Sequence, residues 1–289
     1  MKPKIISAFI LLVFFFMTTS IALSQNDSSQ VQIIRIELTD GSTLVGQILS
    51  EDDISIQFKT QSGTELTIKK DQIKKRDVIS GKMVQGELWQ NDPNQTRLLF
   101  APTGKALKSG QGYFSVYEIF FPFVAVGITD YLTLAGGFSL FPGAESQVFY
   151  LAPKITPIQL NNFDLAAGVL YMKVPEEDEG VGIIYSVGTY GNESTSFTLG
   201  LGFAFAGGEV ADKPVFALGL EARMSKSTKF ITENWLIPDS EVQLISAGIR
   251  FFGENLAADF ALIYPAGADP EGFPFVPWIG FAYNFGNNN

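Results

Sequence analysis

The chain has no cysteine and no histidine among its 289 residues. Without cysteine there is no disulfide framework, and no thiolate can hold a metal. Without histidine the commonest metal ligand and the usual neutral-pH base are both missing. A Ser-His-Asp site is therefore excluded. Basic residues are the scarcer charge, 20 against 30 acidic, for a formal net charge of -10. No basic stripe is present, which argues against a nucleic-acid partner.

The first segment, "MKPKIISAFILLVFFFMTTSIALSQ", places Lys2 and Lys4 before an apolar run from Ile5 to Met17, then small residues at Ala22 and Ser24. This is the pattern of a signal peptide over residues 1–24, cut before Gln25. The apolar run is shorter than the ~20 residues of a spanning helix.

Residues 31–79 read as short strands separated by polar turns, among them Asp40-Gly41. They predict a small β-domain, a four-strand meander with "DQIKKRDVI" as a helical turn or a fifth strand. In size it is analogous to an SH3 or Sm barrel. An interaction module for a periplasmic protein partner, a plug or cap, and a plain spacer all fit it. The polar stretch 80–95 reads as a linker.

From residue 96 the composition shifts to Phe, Leu and Gly. In "TSFTLGLGFAFAGG", Phe197, Leu199, Leu201, Phe203 and Phe205 alternate with Ser196, Thr198, Gly200, Gly202, Ala204 and Ala206. Strand side chains alternate between two faces. One face of this wall is bulky and apolar, and the other is small and weakly polar. A water-facing strand would carry Lys, Glu and Gln instead. The pattern recurs in "PVFALGLEARM", "VQLISAGIRFF" and "LAADFALIY", and each time the charges fall on the small face. A charge facing the bilayer midplane costs about 2–4 kcal/mol in a membrane barrel. Glu118, Lys154, Glu221, Arg223, Arg250 and Asp259 are therefore expected inside.

The fold class expected is all-β: an antiparallel transmembrane β-barrel of about 12 strands over residues 96–286, behind the small N-terminal β-domain. Ten strands remain if "TRLLFAPT" (96–103) joins the linker and "KFITENWLI" (229–237) is a loop. A secreted β-sandwich is the rival architecture. Tyr113, Tyr131, Tyr171, Tyr190, Tyr264 and Tyr283 lie near segment ends, where aromatic girdles belong. With the N-terminal domain in the periplasm, the longer loops, "PTGKALKSGQG" among them, face outward.

The segments "TRLLFAPTGKALKSGQGYFSVYEIFFPFVAVGITDYLTLAGGFSLFPG", "QVFYLAPK", "LAAGVLY" and "LISAGIRFFGENLAADFALIY" resemble uncharacterised outer-membrane β-barrel proteins of Gram-negative bacteria, of the Bacteroidetes type. The resemblance covers about residues 96–286. It implies the bacterial outer membrane as location, with outer-membrane lipid and the barrel-assembly machinery as partners. It brings no activity and no site residues.

The candidate site is a lumenal charge cluster of Glu221, Arg223, Arg250 and Asp259, serving as a constriction or as internal bracing. "EEDE" at 176–179 lacks the spacing of a calcium loop. No catalytic residue, cofactor or metal is expected. The leading expectation is a non-enzymatic barrel with a structural or interaction role. A narrow channel for small or apolar solutes is the alternative. A lipid- or peptide-modifying barrel enzyme, with Ser246 and Asp259 as its residues, is the third.

Overall fold

A computed structural model describes residues 33–79, 81–84, 87–175, 179–269 and 272–286. The expected signal peptide, residues 1–24, lies outside the described residues, as do 176–178 of the acidic "EEDE" segment.

The N-terminal sheet has strands β1 (Ile33–Leu38), β2 (Thr43–Glu51), β3 (Ser55–Thr60), β4 (Glu65–Lys69) and β5 (Ile73–Ile79). They pair antiparallel in the order β4-β3-β2-β1-β5, so the last strand returns beside the first. Alternation buries Ile34, Ile36, Phe58 and Ile68 on one face. "DQIKKRDVI" is both things it was expected to be: a 3-10 turn at Lys70–Gln72 leads into β5. The stretch read as a linker carries a two-stranded hairpin, β6 (Gly81–Val84) and β7 (Glu87–Gln90).

The second sheet closes on itself. Its strands are β8 (Gly112–Tyr117), β9 (Phe121–Gly127), β10 (Leu132–Phe138), β11 (Phe149–Leu151), β12 (Lys154–Gln159), β13 (Phe163–Lys173), β14 (Val181–Gly191), β15 (Thr195–Ala206), β16 (Glu209–Val210), β17 (Val215–Ser225), β18 (Thr228–Leu236), β19 (Gln243–Phe252), β20 (Leu256–Ala266) and β21 (Val276–Phe285). β11 and β12 are two pieces of one staggered strand between β10 and β13, and the two-residue β16 pairs antiparallel with the end of β15, beyond its pairing with β17. β21 pairs with β8, from Gly280↔Tyr117 to Phe285↔Gly112, which completes a barrel of twelve antiparallel strands.

The strand number matches the expectation, but two of its parts were misplaced. "TRLLFAPT" is not a wall strand; it runs inside the barrel. "YFSVYEIFFPFVAVGIT", read as one strand, is the hairpin of β8 and β9. Its turn sets Glu118 and Ile119 at φ of 47° and 66°. Hairpin turns in the left-handed region favour Asn and Gly, and a β-branched residue there is strained, so no turn signal marked the break. "KFITENWLI" forms β18 after all.

Val124, Leu134, Leu199, Ile245, Phe260 and Phe281 point out of the wall, each 43–49% exposed. Water would make this band an aggregation surface, whereas lipid covers it at no cost. Closure satisfies the strand amides that an open edge would leave bare in hydrocarbon. These are the transmembrane strands of an outer-membrane β-barrel. Tyr131, Tyr190, Tyr264 and Tyr283 are exposed as a girdle requires, but Tyr113 is buried inside.

The connections alternate in length. Those after β10, β13, β15, β18 and β20 are long, as 139–148 and 267–275 illustrate. Those at the other end are short, as in 192–194 and 226–227. The N-terminal sheet belongs with the barrel in one unit and meets the short-turn end. There Arg35 grips Glu254 of the 253–255 turn through two hydrogen bonds of 2.7 Å. "PTGKALKSGQG" does not lie with the long loops, contrary to expectation. It ends at the short-turn side, where the Lys108 ammonium donates to Gln159 at 2.6 Å and the Ser109 amide to Asp130 at 3.0 Å.

Candidate functional site: a plugged lumen between two cavities

The small face of the wall exists to admit another part of the chain. Residues 91–111 pass from β7 through the barrel interior to β8. Leu98, Leu99 and Ala101 are buried there against Ala217, Ile231 and Ala261. A methyl group at Gly219 would stand 2.2 Å from a Cδ of Leu98, and one at Gly104 would stand 2.4 Å from the Asp164 carbonyl oxygen. Gly219 leaves room for the plug's side chain, and Gly104 lets the plug lie against the wall. The Gly104 amide also donates to Thr189 Oγ1, which shares a hydrogen bond with Thr198.

Backbone groups of the plug are not in strands, so each buried one needs another partner. The plug supplies some of these partners itself, the Leu98 amide donating to the Ala101 carbonyl at 2.8 Å, and wall side chains supply others. Glu233 Oε2 accepts the amides of Phe100 and Ala101, both at 2.9 Å. Lys154 Nζ donates to the carbonyls of Lys105 at 2.7 Å and Thr103 at 3.1 Å. Arg250 donates to the carbonyls of Leu98 at 2.6 Å and Asn94 at 2.8 Å.

A chain of charges crosses the same region. Arg97 Nη1 meets Asp259 Oδ2 at 2.5 Å, and Asp259 Oδ1 meets Arg250 Nε at 2.6 Å. Arg250 Nη1 and Lys229 Nζ both reach Asp92 Oδ2 at 3.0 Å, and Lys229 reaches Glu221 Oε1 at 3.0 Å. Ser196 Oγ donates to the other Glu221 oxygen at 2.9 Å. Three cations face three carboxylates, all essentially buried. Desolvation of such groups is costly unless every charge is paired and hydrogen-bonded, and this chain alternates in sign throughout. Register brings the wall members together: Lys229 opposes Arg250 across β18 and β19, and Arg250 opposes Asp259 across β19 and β20.

Of the four residues predicted as a lumenal cluster, the structure joins Glu221, Arg250 and Asp259. Arg223 stands apart. Its guanidinium lies over the rings of Trp89 and Phe252, at 5.3 and 4.8 Å, and donates to the carbonyls of Ser225 and Lys226. Reasoning from the sequence missed Asp92, Arg97, Lys229 and Glu233. Asp92 sat in a presumed linker, Arg97 in a presumed wall strand, and the other two in a segment polar enough to pass for loop. Ser246 and Asp259 do not form a catalytic pair. Ser246 Oγ donates to the Glu233 carbonyl at 2.6 Å, while both Asp259 oxygens are held by arginines.

Cavities lie on both sides of the plug. The one toward the long-loop end holds about 380 Å³ and is walled by aromatics, including Tyr113, Tyr117, Phe123, Tyr150 and Trp278, with Arg97 and Phe100 of the plug at its base. Phe123 stacks on Tyr150 with ring centroids 6.0 Å apart, and Tyr117 lies 5.7 Å from Trp278. The second cavity holds about 460 Å³ at the short-turn end, between the N-terminal sheet and the barrel. Arg35, Lys75, Asp77, Asp92, Gln95 and Glu254 make it polar. The ionic chain therefore runs from one cavity to the other: Arg97 borders the first, and Asp92 the second.

The chain is a plugged transmembrane β-barrel. No family model and no curated protein matches it. Among solved structures, a KdgM porin in complex with disordered oligogalacturonate is similar at TM-score 0.46 and 8% identity, over 61% of this chain and 98% of the porin. A NanC porin is similar at TM-score 0.40 and 5% identity, over 63% and 100%. A loop-deletion mutant of OmpT, an outer membrane protein of Vibrio cholerae, gives 0.34 and 9%, over 88% and 97%. Likenesses of this size bring no ligand or activity to this chain.

Proposed function

We propose that the protein is a narrow, gated passage for small, largely apolar solutes across the outer membrane, without chemistry of its own. The observation that carries this reading is the pair of cavities, one apolar and one polar, separated by a segment held through side chains rather than strand ladders. A twelve-stranded barrel is already narrow beside the 16–18 strands of a general porin. With Leu98 and Leu99 filling its interior, a solute crosses only when residues 91–111 shift. Polar clamps suit that role, because each gripped carbonyl and amide can exchange its partner for water once the plug moves.

In this reading the short-turn end and the N-terminal sheet lie in the periplasm, and the long loops face outward. Residues 31–79 then present a surface to a periplasmic protein partner. Outer-membrane lipid surrounds the band of Val124, Leu199 and Phe281, and the barrel-assembly machinery inserts the strands.

Single-channel recording in planar bilayers tests the gate. The full chain is expected to stay closed, and replacing residues 96–103 with a Gly-Ser segment of equal length is expected to open stable steps. A replaced barrel that still runs as a folded, heat-modifiable species yet conducts no more than the parent would refute the gate.

A further inference from the structure

The aromatic cavity is apolar except for a few polar groups, and four of its lining residues carry buried side-chain polar atoms without a partner. Arg97 is 2% exposed, and its Nη1 is used by Asp259 and by the Leu98 and Leu99 carbonyls. Its Nε and Nη2 are buried without any hydrogen-bond partner. Thr96 Oγ1, Thr133 Oγ1 and Trp278 Nε1, also in the cavity lining, are buried and unpartnered too. Nε and Nη2 form one side of the guanidinium, two parallel N–H groups at the spacing of a carboxylate's oxygens. The face of the guanidinium is covered by Tyr117, 5.1 Å from the ring centroid. Of the two cavities, Arg97 borders only this one.

Leaving charged donors buried and unmatched costs more than a typical hydrogen bond contributes, so the arrangement is explained by something that comes and goes. We infer that the cavity binds a small carboxylate with an apolar body: the acid sits on the Nε–Nη2 edge of Arg97, and the body lies among Tyr113, Phe123 and Tyr150. The balance of charge agrees. Arg97 and Lys154 border the cavity against a single acid, Glu118, whose Oε1 accepts the Ile279 amide at 2.8 Å. The volume of about 380 Å³ is at the low end for small-molecule sites, which run from about 300 to 1,000 Å³. Ring-lined walls favour an aromatic or short branched body over a sugar, which would leave its hydroxyls unmet.

The site rests on the passage proposed above and names its solute class. It also gives the solute a hold on the gate, since the same guanidinium that would grip the acid is clamped to Asp259. Calorimetric titration of the detergent-solubilised full chain with 2-naphthoate and with 2-naphthamide, each against a detergent blank, separates the two ideas. The acid is expected to bind at least about tenfold tighter than the amide, as expected for charge-assisted bonds, and Arg97→Gln is expected to bring the two to the same affinity. Equal affinities in the parent overturn the carboxylate site and leave the apolar passage standing. Heat from neither probe overturns both. An acid preference that survives in folded Arg97→Gln overturns the role of Arg97. Should that variant fail to fold, the acid-to-amide ratio in the parent still decides.

Discussion

Arg250 and Asp259 oppose each other across β19 and β20 with no exposed surface on either, joined at 2.6 Å. Asp259 is shared: its second oxygen holds Arg97 of the plug. One carboxylate thus ties the inner segment to the wall and is the counter-charge that two guanidinium groups share. Asp259→Asn leaves both arginines short of a counter-charge, and breaking a buried pair from one side costs about 3–5 kcal/mol. Urea-driven unfolding of the refolded barrel should show a loss of that order. Asn at the same site keeps the size, so a loss below about 1 kcal/mol would mean that the chain of charges is solvated after all.

The outward face makes a separate prediction. Phe260 sits mid-strand, 44% exposed, with its ring 6.1 Å from that of Phe281. Phe260→Arg in lipid vesicles should cost about 2–4 kcal/mol of folding stability. In water the same change would be nearly neutral, so a small effect in vesicles would mean that this face does not meet lipid.

Acid should loosen the N-terminal sheet from the barrel. The hydrogen bonds from Arg35, above all, hold the Glu254 carboxyl below its ordinary value of 4.5. The pair therefore contributes fully above pH 4.5, and the contribution is lost as the pH falls through the depressed value. Glu254 is partly exposed, so the contribution is modest. Hydrogen exchange at β1 and at the 253–255 turn, corrected for intrinsic rates, should be faster in Glu254→Gln than in the parent at pH 6. The gap should close well below pH 4.5. A gap independent of pH would rule out the ion pair as its cause.

Much of the wall was legible because strand alternation is a strong signal when one face meets lipid. Charges on the small face of β17, β19 and β20 announced the lumen. The Leu98-Leu99 run was not legible as a plug. A short apolar run reads as a strand until one knows which surface it packs against, and only the glycines facing inward, Gly219 above all, hinted that the interior was occupied. The β8–β9 turn escaped because Glu118 and Ile119 carry none of the residues that normally accept positive φ. That merged strand and the supposed strand at 96–103 offset each other, which kept the number at twelve. The cluster was half visible: strand position gives Glu221, Arg250 and Asp259, whereas Asp92 and Arg97 arrive from a segment whose path no periodicity encodes.

The absence of cysteine makes the plug directly testable. A side chain at Gly219 would lie against that of Leu98, close enough for a short bridge. The double variant Leu98→Cys, Gly219→Cys, folded in detergent and mildly oxidised, should form one intramolecular disulfide, seen by mass and by a shifted gel band reversed by reductant. Two thiols that stay free to an alkylating reagent in the folded barrel would show that residues 91–111 do not fill the lumen, and the gate and the ligand site would fall with them.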